Sequence, residues 1–155
     1  DRPLSRGLGD VYKRQLEYGI KYTGMEGLTA YAAMGENNDS SNGVDSSILS
    51  VSYAMGGLTV GYQTNESDYS TGTSDEDFTA IGVSYAVSDD LSVSLNSSTI
   101  DFESTTLDDQ EATGVSFSYT SGGMTISGTH SQIDNQNGTA TADNTGYELN
   151  FVFSF

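Results

Sequence analysis

Residues 47–66, SILSVSYAMGGLTVGYQTNE, decide the fold class. In the first half, apolar and small side chains alternate strictly: Leu49, Val51, Tyr53 and Met55 against Ser50, Ser52 and Ala54. A period of two residues predicts a β-strand with two unlike faces. Gly56-Gly57 then predicts a tight turn, after which Leu58-Thr59-Val60 begins a second strand. The stretch therefore predicts an antiparallel hairpin.

The same unit occurs four times along the chain. Each copy begins with a strand that carries a Tyr near its end, at Tyr22, Tyr53, Tyr85 and Tyr119, which are 31, 32 and 34 residues apart. Each Tyr is followed by a short turn rich in Gly, Ser or Asp. The pattern predicts about nine strands, near residues 16–23, 28–36, 47–55, 58–66, 78–87, 91–102, 112–120, 124–133 and 146–155. Longer polar loops are expected at 37–46, 67–77, 103–111 and 134–145. The predicted fold class is all-β, an antiparallel up-and-down meander.

The composition excludes several classes of function. The net charge of -17 repels phosphate backbones, so we expect no nucleic-acid partner. The absence of Cys excludes disulfides and thiolate metal sites. No run of 18 or more apolar residues is present, which excludes a membrane helix. A closed barrel can also span a bilayer, because its backbone groups are satisfied between strands, and its hydropathy signal is weak.

Residues 1–15 differ from the rest of the chain. They contain four of its five basic residues, Arg2, Arg6, Lys13 and Arg14, and no initiating Met. The stretch resembles translated sequencing-adaptor sequence, although a genuine basic arm or the tail of a preceding loop is the alternative. We therefore treat 1–15 as an artefact or non-native leader and 16–155 as the folded part.

Three features favour a membrane position for the apolar face. The opposite face consists of Ser, Thr, Gly and Asn with almost no charge, whereas soluble sheets usually carry Lys and Glu there. Tyr22, Tyr53, Tyr85 and Tyr119 share the apolar face at the short-turn ends, which is typical of an aromatic girdle. Ordinary cross-strand packing in a core is the alternative. Finally, residues 146–155, GYELNFVFSF, bring Tyr147, Leu149, Phe151, Phe153 and Phe155 to one face. A soluble protein rarely ends on such a row.

That ending resembles the C-terminal strand of bacterial outer-membrane proteins. The meander, the acidic loops and Gly56-Gly57-Leu58-Thr59-Val60 resemble the Gram-negative general porins, notably the alphaproteobacterial type. The resemblance covers residues 16–155. It implies the C-terminal part of a transmembrane β-barrel of about 16 strands. Single-chain barrels have even strand numbers, so the odd count of nine supports truncation. It also implies short turns in the periplasm and long loops outside, and it makes Tyr147, Phe151, Phe153 and Phe155 the signal read by the barrel-assembly machinery.

On this interpretation the chain belongs to a passive outer-membrane channel for ions and small hydrophilic solutes. The residues expected to line the pore share the polar phase of the strands: Glu17, Lys21, Ser50, Ser52, Gln63, Asn96, Ser118, Thr129, Glu148 and Asn150. Membrane lipid is a direct partner, and the resemblance implies a homotrimer. The alternative is a surface-displayed or soluble β protein without channel activity, such as an adhesin or a lipocalin-like binder.

No catalytic or cofactor motif is present. His130 is the single histidine, and its neighbour Ser131 should face the other side of a regular strand. The loop at 38–43 fails as a calcium loop, because Leu49 stands where a Glu is required. We therefore expect neither an enzyme, nor a metal site, nor a cofactor.

Two further expectations concern strand six and the charges. Leu91, Val93 and Leu95 share one phase, whereas Ile100 and Phe102 have the other, which a β-bulge or a strand running above the membrane would explain. Most acidic residues fall in or beside the long loops, without Lys or Arg to balance them. This one-sign charge at a channel mouth predicts a weak cation preference that fades as salt rises.

Overall fold

The computed structural model describes residues 15–37, 43–70 and 75–154, which form one antiparallel sheet. Its nine strands are β1 (Gln15–Tyr22), β2 (Leu28–Asn37), β3 (Val44–Met55), β4 (Leu58–Tyr69), β5 (Glu76–Ala86), β6 (Leu91–Phe102), β7 (Gln110–Ser121), β8 (Met124–Asp134) and β9 (Asn144–Phe153). Their order in the sheet is their order in the chain, so every strand pairs with its sequence neighbours. The predicted nine-strand meander is confirmed.

The short turns follow the sequence closely. Two residues join β3 to β4 and two join β7 to β8, and the first residue of each turn, Gly56 and Gly122, has a φ of 58°. Two-residue hairpin turns need a positive φ there, which glycine adopts without a steric penalty. These turns hold the registers that begin at Met55↔Leu58 and Ser121↔Met124.

The connections at the other end of the sheet are shorter than predicted. Strand β3 begins at Val44 instead of residue 47, β4 continues to Tyr69, and β7 begins at Gln110. The prediction stopped where the apolar alternation stops, but backbone pairing continues through polar and acidic residues. In the described part, only one helical turn (Gln136–Gly138) lies in these connections.

Strand β6 contains no bulge. Its pairing with β5 runs without interruption from Ala86↔Ser92 to Glu76↔Phe102. The bulge expected from the change of phase was wrong. Ile100 and Phe102 instead lie on the opposite face of the sheet from Val93 and Leu95, because a regular strand turns alternate residues to opposite faces.

The sheet has no covering layer in the part of the chain that the structure describes. No apolar side chain there is buried, and the strands make their main contacts with their neighbours in the sheet. None of the described helical residues forms a segment long and apolar enough to cross a membrane. Both faces of the sheet are therefore open, and what each face carries decides what the molecule can do.

Candidate functional site

The register sorts the strand residues into two faces. Residues directly opposite each other in an antiparallel pair share a face, so the face of one residue can be followed across all nine strands. The apolar face is defined here by the row through Tyr53, Val60, Val83, Leu95 and Val115. The polar face is defined by the row through Ser52, Gly61, Gly82, Asn96 and Gly114.

The exposure of the two faces is the reverse of that in a soluble protein. Along β7, Val115, Phe117 and Tyr119 are exposed, whereas the intervening Ser116 and Ser118 are half-buried. The same alternation holds over most of β3 and β5. A water-soluble sheet exposes its polar residues and covers its apolar ones. This sheet is built to meet an apolar solvent on one side.

All ten residues predicted to line a pore lie on the polar face. Serine, threonine and amide side chains dominate this face and bond to one another. The hydroxyls of Ser94 and Ser116 are 2.6 Å apart, and the side-chain amide of Gln63 donates to Asn65 Oδ1 at 3.0 Å. The Asn150 amide donates to Glu148 Oε1 at 2.9 Å. The face is therefore hydrophilic, with few charges.

The four tyrosines of the predicted girdle lie on the apolar face with a regular stagger. Tyr22 lies in the row that reaches Val51, which is two residues from Tyr53. The row of Tyr53 reaches Val83, two residues from Tyr85, and the row of Tyr85 reaches Phe117, two residues from Tyr119. The tyrosine level therefore shifts by one residue for each strand.

This stagger gives the tilt of the strands if the tyrosines lie at one membrane depth. A shift of one residue, about 3.3 Å, per strand spacing of about 4.8 Å corresponds to a tilt of about 35°. Outer-membrane barrels have strand tilts of about 35–45°. The sequence alone could not give this value, because it depends on the register between strands.

The last strand continues the apolar face. Tyr147 is 80% exposed, and Leu149, Phe151 and Phe153 are also exposed; Phe155 lies outside the described residues. The ring of Tyr147 stacks on that of His130, with centroids 4.4 Å apart. His130 Nδ1 lies 3.2 Å from the Gly146 carbonyl oxygen, a distance that suits a donated N–H. His130 therefore packs against Tyr147. It is paired with Val115, the apolar residue of β7 on this face that lies nearest the long-loop end.

Most strand carboxylates lie at the long-loop ends of their strands and on the apolar face. Eleven carboxylates lie within strands, and eight of these share the apolar face beyond its last apolar residue: Glu36, Asp45, Glu66, Asp68, Asp77, Asp101, Glu111 and Asp134. Only Glu17, Glu76 and Glu148 lie on the polar face. Most of the strand carboxylates therefore face away from the surface proposed to border a pore.

The sequence analysis missed an apolar patch on the polar face. Phe78 and Ile100 are directly opposed on β5 and β6, and Phe102 lies opposite Glu76. All three are half-buried. The signal was present in the change of phase along β6, but it was interpreted as a bulge or as a strand running above the membrane. Among the described residues, no group of three or more His, Asp or Glu side chains could hold a metal ion.

Comparisons with known proteins agree with this geometry. A porin mutant from Rh. blastica superimposes with a TM-score of 0.68 at 18% identity, over 91% of this chain and 46% of its own. The anion-selective porin from Comamonas acidovorans gives 0.73 at 14% identity, over 92% and 49%. The NanC porin gives 0.65 at 14% identity, over 91% and 78%. The chain thus spans about half the length of the first two.

Structural similarity at identities this low establishes the fold alone, so the family assignment depends on the sequence comparison. No curated protein sequence matches significantly. The family model described as Gram-negative porin matches residues 5–106, which is more than half of the chain. The match includes part of the 1–15 segment, whose origin stays open. The chain belongs to the Gram-negative porins, proteins of the bacterial outer membrane.

Proposed function

We propose that the complete protein is a passive diffusion channel for ions and small hydrophilic solutes across the outer membrane. One observation carries the proposal: a single sheet exposes a continuous apolar face and turns a hydrophilic, nearly uncharged face to the other side. Closed into a barrel, such a sheet meets lipid outside and water inside. Family membership favours a channel over an enzyme.

The lumen wall in this proposal consists of the ten polar-face residues predicted from the sequence. Their hydroxyl and amide groups offer weak, exchangeable hydrogen bonds to water and solutes. Conduction requires sites that bind favourably enough for solutes to enter and weakly enough for them to leave. The partnered amides, such as Asn150 on Glu148, are consistent with a wall that holds its shape without gripping a solute.

We further infer a weak cation preference, which arises from the three polar-face carboxylates Glu17, Glu76 and Glu148. Lys21 on the same face partly offsets them. The contribution of the carboxylates in the long loops stays a separate prediction, and eight of the strand carboxylates beside those loops lie on the apolar face. The Comamonas neighbour is described as anion-selective, so one fold is compatible with either sign. Selectivity then depends on individual lumen side chains rather than on the fold.

The proposed partners follow from the apolar face. Membrane lipid would cover most of it, with the four tyrosines at the periplasmic interface. The aromatic row of β9 would be recognised by the barrel-assembly machinery, and the complete protein would assemble as a homotrimer. Residues 16–155 are proposed as the C-terminal part of a barrel of about 16 strands. The soluble or surface-displayed alternative is not favoured, because it requires the apolar face to be covered.

The test is conduction by the complete barrel in a planar bilayer. We expect discrete current steps in potassium chloride that scale with salt concentration. The same preparation should migrate differently in detergent gels before and after boiling, as closed barrels do. A protein that shows the heat shift but never conducts would be an anchor rather than a channel. A protein that shows neither would not form the proposed barrel.

A further inference from the structure

The apolar patch on the polar face requires an explanation. Phe78, Ile100 and Phe102 are half-buried, although most large apolar side chains on the opposite face are exposed. On the wall of a water-filled channel, exposed apolar surface carries an unfavourable hydration free energy. Side chains on this face are half-buried along several strands, and at the patch Ile100 and Phe102 also line a cavity with residues of the connections beyond the sheet.

Two connections fold together beside it. The backbone amide of Asp108, between β6 and β7, donates to the carbonyl of Gly138, between β8 and β9, at 3.1 Å. The Asn135 side chain donates to the Asp109 carbonyl, also at 3.1 Å. Gly138 has a φ of 70°, and a Cβ added there would lie 2.8 Å from Leu107 Cβ. The close packing of Leu107 on Gly138 makes the two connections one unit.

This unit is attached to the polar face. The backbone amide of Asn137 donates to Gln110 Oε1 at 2.8 Å, and Gln110 is directly opposite Ile100 on that face. The amide of Glu103 donates to the Asp75 carbonyl at 3.0 Å, which ties the end of β6 to the start of β5. The connections are therefore held over the inner rim of the sheet.

A cavity of about 570 Å³ remains between this unit and the strands. Its lining combines three kinds of chemistry. Ile100, Phe102 and Leu107 supply apolar surface, Thr106 supplies a hydroxyl, and Asp75 and Glu76 supply two carboxylates. One Asp75 carboxylate oxygen accepts from the Tyr69 amide at 2.7 Å, and no other described group donates to the side chains of Asp75 or Glu76.

No Lys or Arg side chain among the described residues lies near the cavity to balance the negative charges of Asp75 and Glu76. The one Lys or Arg side chain of the described residues is Lys21, which lies on β1, four strands away from β5. A solute cation beside these carboxylates would meet no competing Lys or Arg side chain among the described residues. A solute that also covered Ile100 and Phe102 would remove their apolar surface from water. The free energy of this burial would add to that of ion pairing with the carboxylates.

We propose that this cavity binds a small organic cation that carries an apolar group, such as an arylalkylamine. The ammonium lies at Asp75 and Glu76, and the hydrocarbon part lies on Ile100 and Phe102. The position at the mouth of a channel rests on the proposed function, whereas binding itself requires only the folded barrel. The cavity then raises the local concentration of such solutes at the channel mouth.

The direct test is calorimetric titration of the complete barrel in nonionic detergent with phenethylammonium. The two reference probes are 2-phenylethanol, which lacks the charge, and methylammonium, which lacks the ring. We expect phenethylammonium to bind about tenfold or more tightly than either. Equal affinity for all three probes, or no binding of phenethylammonium, would overturn the proposal.

Neighbouring carboxylates provide a matched pair of variants. Glu76→Gln should weaken phenethylammonium binding about three- to fivefold, the range for a partly exposed ion pair. Asp77→Asn removes the same charge one residue along β5 but on the apolar face, and it should leave the affinity unchanged. Phe102→Ser should weaken binding about tenfold through lost apolar contact. Equal effects of Glu76→Gln and Asp77→Asn would mean attraction by overall charge, without a site.

A bilayer recording separates this proposal from the channel proposal. We expect phenethylammonium, added on the long-loop side, to reduce the current in a saturable manner with the calorimetric affinity. A channel that conducts but neither binds nor is blocked retains the proposed function and loses the cavity site. A barrel that binds in detergent but does not conduct retains the site and loses the channel.

Discussion

The stagger of the tyrosines predicts the depth of individual residues in the membrane. Val51, Ile81 and Thr113 lie in one row of paired residues on the apolar face. They are two, four and six residues from the girdle tyrosine of their own strands. At a tilt of about 35°, each residue rises about 2.7 Å along the membrane normal. The three positions should therefore differ in depth by about 5 Å per step.

Nitroxide labels on single cysteines can measure these depths. Residues 1–155 contain no Cys, so within them each substitution gives one labelling site, and any Cys elsewhere in the complete barrel is replaced first. In the complete barrel reconstituted in a bilayer, power saturation with oxygen and a water-soluble nickel chelate reports depth. We expect the Ile81 label to lie about 5 Å farther from the periplasmic interface than the Val51 label, and the Thr113 label about 5 Å farther again.

A second set of labels controls for differences between strands. Leu49, Ile81 and Val115 are each four residues from their girdle tyrosine, so their labels should report one depth. Equal depths for Val51, Ile81 and Thr113, with unequal depths in the control set, would mean that the paired rows run parallel to the membrane. The tilt and the girdle assignment would then both be wrong.

Four further predictions concern stability, selectivity and assembly. Ile81→Arg, on the apolar face about 11 Å from the girdle level of Tyr85, should destabilise the refolded barrel by about 2–4 kcal/mol in urea titrations in lipid, whereas Ala80→Arg on the polar face should cost less than about 1 kcal/mol; equal losses would contradict the two-face assignment. Glu148→Gln should lower the cation-to-anion permeability ratio about twofold in 0.1 M salt and scarcely at 1 M, as read from reversal potentials, while an effect that persists at 1 M would rule out a screened charge. Asp77→Asn, on the apolar face, should leave that ratio unchanged. It should raise stability by about 0.5 kcal/mol at low salt, because Asp77 lies directly opposite the like charges of Glu66 and Asp101; a fall in stability would refute this. Deleting Phe155 should lower barrel assembly in cells without altering export, and normal assembly of the deletion variant would count against the terminal signal.

The hairpins could be predicted from the sequence because their determinants are local. Alternation over seven residues fixes a strand and its faces, and Gly56-Gly57 fixes both the turn and the register that follows it. The ten polar-face residues were found in the same way, since the phase of each strand is visible within its own sequence. Their role as a lumen wall stays a prediction, as does the role of the four tyrosines.

The long-loop end of the sheet could not be predicted because its determinants are not local. The backbone pairing of β3 with β4 continues to Val44↔Tyr69, although the apolar alternation has already ended. Once a register is fixed, each further pair requires only backbone hydrogen bonds. The contact of Leu107 with Gly138 joins two connections that are distant in the chain. The change of phase along β6 was visible, but the cavity beneath the connections was needed to interpret it.

The distribution of carboxylates changes what the net charge implies about selectivity. A chain of charge -17 suggests a strongly negative channel mouth. However, eight of the eleven strand carboxylates lie on the apolar face, beyond its last apolar residues, where they sit outside a closed barrel. Charges separated from the lumen by more than about 8–10 Å are largely screened at physiological salt. Among the described strand residues, we therefore expect a change at Glu17, Glu76, Glu148 or Lys21 to alter selectivity more than neutralising several outward carboxylates.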